Sequence, residues 1–286
     1  MRIGRYNVQT LEGGRLGLDG GAMFGIVPKP LWSRAIQPDE KNRIPLAMRC
    51  LLIEGEGRLI LVDTGLGEKE DAKFRDIYAV DQEQSSLRRS LTAAGFVPEE
   101  ITDVVLTHLH FDHCGGATRY TGEEERLELV FPNATHHVQE SHWQWATESP
   151  REQASFLARN LDPISDSGQL SLVRGDAELF PGIDTLVVDG HTHGQQLLTV
   201  RGGGNTLFYA ADLLPTSAHV SPLWIMSYDI EPLKTLEEKQ RLLRRAVDED
   251  WIVVFEHDVN VGAARIQEDG QTFKVMDAVD SLSSST

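Results

Sequence analysis

Short apolar runs that stop abruptly at polar clusters recur along this chain. Val104-Val105-Leu106 empties into Thr107-His108, Thr185-Leu186-Val187-Val188 into Asp189-Gly190-His191, Leu207-Phe208-Tyr209-Ala210-Ala211 into Asp212, and Trp251-Ile252-Val253-Val254-Phe255-Glu256 into His257. Runs of this length, rich in β-branched and aromatic residues and ended by glycine or polar groups, predict buried strands that run out into loops. Residues 49–54 and 58–63, split by Gly55-Glu56-Gly57, predict a hairpin. Helical spacing marks residues 85–94, where Leu87 and Leu91 stand four apart ahead of Gly95. Pro98-Glu99-Glu100-Ile101 predicts a helical turn, and Trp143 and Trp145 fall in a short helix. Thr235-Leu236-Glu237-Glu238 has capping-box spacing and opens a helix to about Asp248. Strands at 264–267 and 272–276 finish the pattern, and the serine-rich tail 280–286 is expected to be disordered. Residues 19–32 are too rich in glycine and proline for regular structure, yet carry Met23, Phe24, Leu31 and Trp32, which must pack on a core or a ligand pocket.

No linker or internal repeat divides this alternation of strands and helices, so residues 1–286 read as one α/β domain, although length alone would allow two. Acidic residues outnumber basic ones by 44 to 27, a net charge of −17 that repels polyanions. The basic groups Arg88-Arg89, Arg241 and Arg244-Arg245 lie in predicted helices and read as solvated faces, which argues against a nuclease. Two cysteines, Cys50 and Cys114, make no disulfide framework and point to a reducing compartment. Neither a signal peptide nor a run near the ~20 apolar residues of a membrane span is present, so the expectation is a soluble cytoplasmic protein acting on a small molecule, without nucleic acid or membrane partners; a homodimer stays open.

The densest chemistry is Thr107-His108-Leu109-His110-Phe111-Asp112-His113-Cys114-Gly115-Gly116. Residues two apart on an extended chain point the same way, so His108 and His110 can face one metal ion, while Asp112 and His113 reach a second position as the chain turns. Imidazoles with a carboxylate suit zinc or a similar borderline metal. Cys114 reads as a small apolar group behind the loop.

His-x-His-x-Asp-His after a hydrophobic strand resembles the signature of the metallo-β-lactamase superfamily, closest in pattern to its N-acyl-homoserine lactonase (quorum-quenching) and methyl parathion hydrolase branches. That resemblance, spanning roughly residues 46–276, implies a four-layer αββα sandwich of two mixed sheets flanked by helices. It implies further ligands in His191, Asp212 and His257, with Asp63 of Asp63-Thr64-Gly65 supporting the ligands from behind. Gly190-His191-Thr192-His193-Gly194 departs from the usual second element, with His193 inside it and Gln195 after it, so His193 competes with His191. His136, His137, His142 and His219 read as surface or satisfied core groups. By the same resemblance residues 1–45 form a substrate-covering segment, with Met23 and Phe24 lining an apolar mouth beside Trp143 or Trp145.

The implied enzyme is a metal-dependent hydrolase with two divalent ions per chain, zinc first and manganese, iron or cobalt as alternatives. His108, His110 and His191 would hold one ion and Asp112, His113 and His257 the other, with Asp212 bridging; a hydroxide between the ions would attack. The two ions less Asp112, Asp212 and hydroxide leave +1, suited to a neutral carbonyl or phosphoryl oxygen. Lactones lead the expected substrates, followed by aryl esters and phosphotriesters. The lactonases carry a tyrosine where this chain has Pro215, so Tyr228 is the candidate replacement acid. A glyoxalase II-like thioesterase and a mononuclear iron persulfide dioxygenase are the alternatives.

Overall fold

The computed structural model describes residues 1–122, 126–270 and 272–283. Two seven-stranded sheets and a small hairpin make up its β structure. Across the first sheet run Arg2–Ile3, Tyr6–Asp19, Arg43–Gly55, Arg58–Val62, Asp103–Val105, Thr135–Gln139 and Leu170–Val173. Pairing is antiparallel as far as Arg58–Val62 and parallel beyond it. The second sheet runs Ala177–Phe180, Ile183–Val188, Gln195–Gly202, Asn205–Tyr209, Ile252–Val254, Ala263–Asp269 and Thr272–Val279, with one parallel pair, Asn205–Tyr209 against Ile252–Val254.

Alternation along the strands explains the layers. Leu51 and Ile53, with Ile60 and Val62, point into a core shared with Leu197, Leu207 and Tyr209 of the second sheet. Their neighbours Cys50, Leu52, Leu59 and Leu61 point the other way, onto Leu87 and Leu91 of the helix Leu87–Ala93. The helix Pro232–Asp248 closes the opposite side with Leu242, Leu243 and Ala246. The expected helix–sheet–sheet–helix sandwich is what the chain forms.

The hairpin turn is a two-residue loop, Glu56-Gly57, with φ of 52° and 73°; both residues take the left-handed values that match the twist of the flanking strands. Four expectations need correction. Residues 19–32 do form regular structure: Asp19 caps the helix Gly20–Phe24 by accepting from Ala22 N at 2.9 Å, and a second short helix, Lys29–Trp32, follows. The long helix starts at Pro232, whose missing N–H costs nothing at a first turn, and Thr235 is buried inside it rather than capping it. The tail is not free at its start, because Leu282 is buried and exchanges hydrogen bonds with Thr10; residues 284–286 lie outside the described residues. Residues 1–45 are likewise more than a cover, since Tyr6–Asp19 pairs with Arg43–Gly55 inside the first sheet.

Asp19 also accepts from Asn42 Nδ2 at 2.8 Å, so one carboxylate ties the short helix to the following strand. Asp19→Ala should cost about 1 kcal/mol, the usual worth of an N-cap, read from the urea midpoint. A midpoint unmoved by the substitution would mean that packing of Phe24 alone holds the helix.

Candidate metal centre and substrate cavity

The extended segment after Asp103–Val105 sets His108 and His110 with ring centroids 4.5 Å apart, and the helix Phe111–Cys114 then turns Asp112 and His113 to a neighbouring position. Gly116 must be glycine, because a Cβ there would run into the backbone oxygen of Thr64. His191 follows Ile183–Val188, Asp212 sits in the 3-10 turn Ala211–Leu213 after Asn205–Tyr209, and His257 follows Ile252–Val254. Strands of both sheets therefore deliver their polar ends to one rim.

The side chains form two groups of buried ligand atoms, His108, His110, His191 and Asp212 in one and Asp112, His113 and His257 in the other. His191 Nε2 lies 3.2 Å from His110 Nδ1 and 3.2 Å from Asp212 Oδ2, with His108 Nε2 3.9 Å from that same oxygen. Across the site, His257 Nε2 lies 3.2 Å from His113 Nε2, 3.8 Å from Asp112 Oδ2 and 3.1 Å from Asp212 Oδ1. One carboxylate thus offers a different oxygen to each group.

The far side of every ring is held. His113 Nδ1 donates to Asp63 at 3.1 Å and faces Glu256 at 3.2 Å, His191 Nδ1 donates to Asp229 at 2.8 Å, and His257 Nδ1 to the Ala47 carbonyl at 2.7 Å. His110 Nε2 donates to Glu152 at 2.9 Å, and His108 Nδ1 lies 3.1 Å from Thr107 Oγ1, which itself donates to Asp63. Such contacts fix which nitrogen of each ring is free to ligate.

The inward atoms fit a cation. His108 Nε2 and Asp212 Oδ1 are buried without a hydrogen-bond partner, a costly state for polar atoms unless a metal ion satisfies them. Nitrogen lone pairs and carboxylate oxygens converging at these distances are the donor set of a divalent metal. Charge says the same. Burial opposes ionisation of Asp212, yet His113, His257 and His191 hold it well below the usual carboxylate range. Burial likewise opposes a charged His257, but the Asp212 carboxylate overrides it and lifts that ring to about 9. Burial and its neighbouring imidazoles push His108 the other way, well below its ordinary value.

His193 does not join either group. Its ring lies 3.4 Å from Glu231 and packs edge-on against Trp145, while its carbonyl accepts from His142. His142 and His219 are buried and hydrogen-bonded at both ring nitrogens, His137 is buried against Asp103, and His136 is buried. Cys114, buried behind the loop, contacts Leu109 O, and burial pushes its thiol up to about 12. Carboxylates that no motif marked in the sequence complete the surroundings: Glu152, Asp229 and Glu256. Glu256 borders a ligand in sequence, but Glu152 and Asp229 arrive from loops 42 and 38 residues from the rings they hold.

Above the ligands opens a cavity of about 190 Å³. Its apolar lining is Leu18, Met23, Tyr78, Phe111 and Met226, and its polar lining beyond the ligands is Arg151, Glu152, Ser155, Ser227 and Tyr228. Met23 is in the lining; Phe24, Trp143 and Trp145 are not. Phe24 is fully buried, stacked on His219 at 4.8 Å and Trp32 at 5.4 Å, so it backs the wall from behind. Trp143 packs against the outer core, and Trp145 donates to Glu152. A helix two turns long has only a narrow inward face, and that of Glu140–Glu148 is taken by His142 and Ala146.

Residues 45–257 match the family profile of the metallo-beta-lactamase superfamily. The chain belongs to that superfamily. It is a hydrolase of the metal-binding kind, and the lactonase branch noted from its motifs recurs among its relatives. An N-acyl homoserine lactonase of a Bacillus species is 26% identical over 76% of this chain and 83% of its own length. A probable metal-dependent hydrolase from Staphylococcus aureus superposes with a TM-score of 0.87 at 31% identity, covering 98% of this chain and all of that one. AidC, a dizinc quorum-quenching lactonase solved with a product, shares the fold at a TM-score of 0.78 and 22% identity, over 96% of this chain and 95% of its own. Among the described residues no helix is long and apolar enough to cross a membrane.

The pH dependence of the metal-free protein follows from His257. Its value near 9 in the fold lies above the ordinary 6.5, so the ion pair with Asp212 stabilises fully below pH 6.5 and is lost as pH rises through 9. Chelator-treated protein should therefore lose melting temperature between pH 6.5 and 9, while metal-loaded protein, in which an ion would replace the proton on His257 Nε2, should not. Equal slopes for the two forms would contradict the charge arrangement.

Proposed function

We propose that this chain hydrolyses ester-type bonds with two divalent metal ions, lactones first and aryl esters or phosphotriesters second. The observation that carries the reading is the division of Asp212, whose two oxygens serve separate buried histidine groups 3.1 and 3.2 Å away. His108, His110 and His191 would hold one ion, Asp112, His113 and His257 the other, and zinc suits the nitrogen-rich set best. Bound there, divalent ions supply a reactive water at neutral pH and polarise the scissile oxygen.

The chain's own groups do the rest. Leu18, Met23, Tyr78, Phe111 and Met226 offer an apolar surface for an acyl or aryl group and exclude water above the ligands. Tyr228 lies in the same lining with burial pushing its hydroxyl up to about 12, so it keeps its proton across the working range. As the ester carbon–oxygen bond breaks, that hydroxyl would hand its proton to the departing oxygen. It would do the work of the tyrosine that Pro215 replaces. The lactonase relatives, at 24–28% identity, support the lactone as first choice.

Elemental analysis of metal-replete protein should return two ions per chain, and His257→Ala should empty the second group while leaving the first largely occupied. Turnover of lactones or aryl esters should disappear with chelation and return with metal. One tightly held ion per chain, or brisk thioester hydrolysis without lactone or ester turnover, would move the assignment to the dioxygenase or glyoxalase II type.

Tyr228→Phe tests the proton donor. General acid help is worth about 10²–10⁴ in rate, and it matters most for poor leaving groups. The variant should lose alkyl esters and lactones far more than nitrophenyl esters, steepening the dependence of rate on leaving-group pKa. An equal loss across the series would remove Tyr228 from the chemistry.

A further inference from the structure

Arg151 is the single arginine or lysine among the residues that line the cavity. Its guanidinium is exposed and makes no ion pair among the described residues, although the chain carries 44 acidic side chains. The adjacent Glu152 lines the same cavity but is spent on His110 and Trp145 rather than paired with Arg151. Arg151 makes one long hydrogen bond, Nη2 to Ser227 O at 3.5 Å, reaching across the mouth to the loop that carries Tyr228. Four of its five N–H donors are left for a ligand. Ser155 and Ser227 share the polar lining with it, and Leu18, Met23 and Phe111 belong to the apolar lining. The cavity therefore combines apolar lining with one exposed fork-shaped donor.

We propose that Arg151 forms, with Ser155 and Ser227, a subsite for a carboxylate carried by the substrate at a distance from the scissile bond. The inference rests on the ester-hydrolase reading above and narrows it to amphipathic monoesters or lactones bearing a free acid. A planar guanidinium meets a carboxylate through two parallel hydrogen bonds, which a lysine cannot copy. At the rim it also gives anionic substrates a local attraction that the overall charge of −17 would otherwise deny them.

Two esters of equal chain length separate the possibilities: 4-nitrophenyl hydrogen adipate, ending in a carboxylate, and 4-nitrophenyl hexanoate, ending in a methyl group. The wild-type protein should favour the adipate in kcat/KM, through KM, and the preference should shrink as salt is raised. Arg151→Met should lower the ratio of the two kcat/KM values by about 10-fold or more, the scale of a charge-assisted hydrogen bond. Arg151→Lys should keep part of the preference. If Arg151→Met changes both substrates alike, Arg151 is only a latch on Ser227 and the subsite is refuted; a wild-type preference for hexanoate refutes it too. Turnover of neither ester by the metal-loaded protein would instead strike at the ester-hydrolase reading itself.

Discussion

The organisation of the site depends on one buried negative charge placed among imidazoles. Asp212 is taken out of water and yet held ionised by three rings within about 3.5 Å. A carboxylate so placed is tolerated only if positive charge, from protons or metal, stays close. Its neighbours are accordingly fixed from behind by acceptors, Asp63, Asp229 and Glu152, and by the Ala47 carbonyl. These acceptors in turn lean on the backbone. Asp63 takes the Thr107 N–H at 2.7 Å, and the loop lies so close to Thr64 that only glycine fits at position 116.

Much of this was legible in the chain. The strand exits at His108, His191, Asp212 and His257 are local events, because an apolar run ending at a polar cluster needs no tertiary information. The hairpin at Glu56-Gly57 and the helix around Leu87 and Leu91 are local for the same reason. What stayed hidden depends on where distant loops land. Glu152 and Asp229 sit in segments without periodicity, and their partners lie on other strands. Phe24 and Trp145 show the opposite failure. Large aromatic residues near a site look like pocket walls, but Phe24 is buried on His219 and Trp32, and Trp145 is half-buried and hydrogen-bonded to Glu152. Choosing between His191 and His193 also took the fold, since alternation alone puts both on one side.

The cavity repeats the same separation of duties. Its floor is made by the ligands, its apolar lining by Leu18 and Met23 of the N-terminal strand and short helix together with Tyr78, Phe111 and Met226, and its polar lining by two loops that meet where Arg151 touches Ser227. The loop from Met226 to Asp229 serves both levels, lining the cavity with Tyr228 and bracing His191 with Asp229. A change at Tyr228 can therefore reach Asp229, and through it His191, along three bonds of backbone, and Phe111 couples the apolar lining to its chain neighbours His110 and Asp112 in the same way.

The division of ligands between the sheets has a mechanical consequence. His108, His110, Asp112 and His113 ride on the first sheet, while His191, Asp212 and His257 ride on the second. The separation of these two sets is set by the thickness of the apolar filling between the sheets, from Leu51 and Ile53 on one side to Leu197 and Leu207 on the other. That filling acts as a shim. Interiors packed to crystal density pass small changes of volume along rather than absorbing them, so a methylene gained or lost deep in the sandwich resets the spacing of a centre that it never touches.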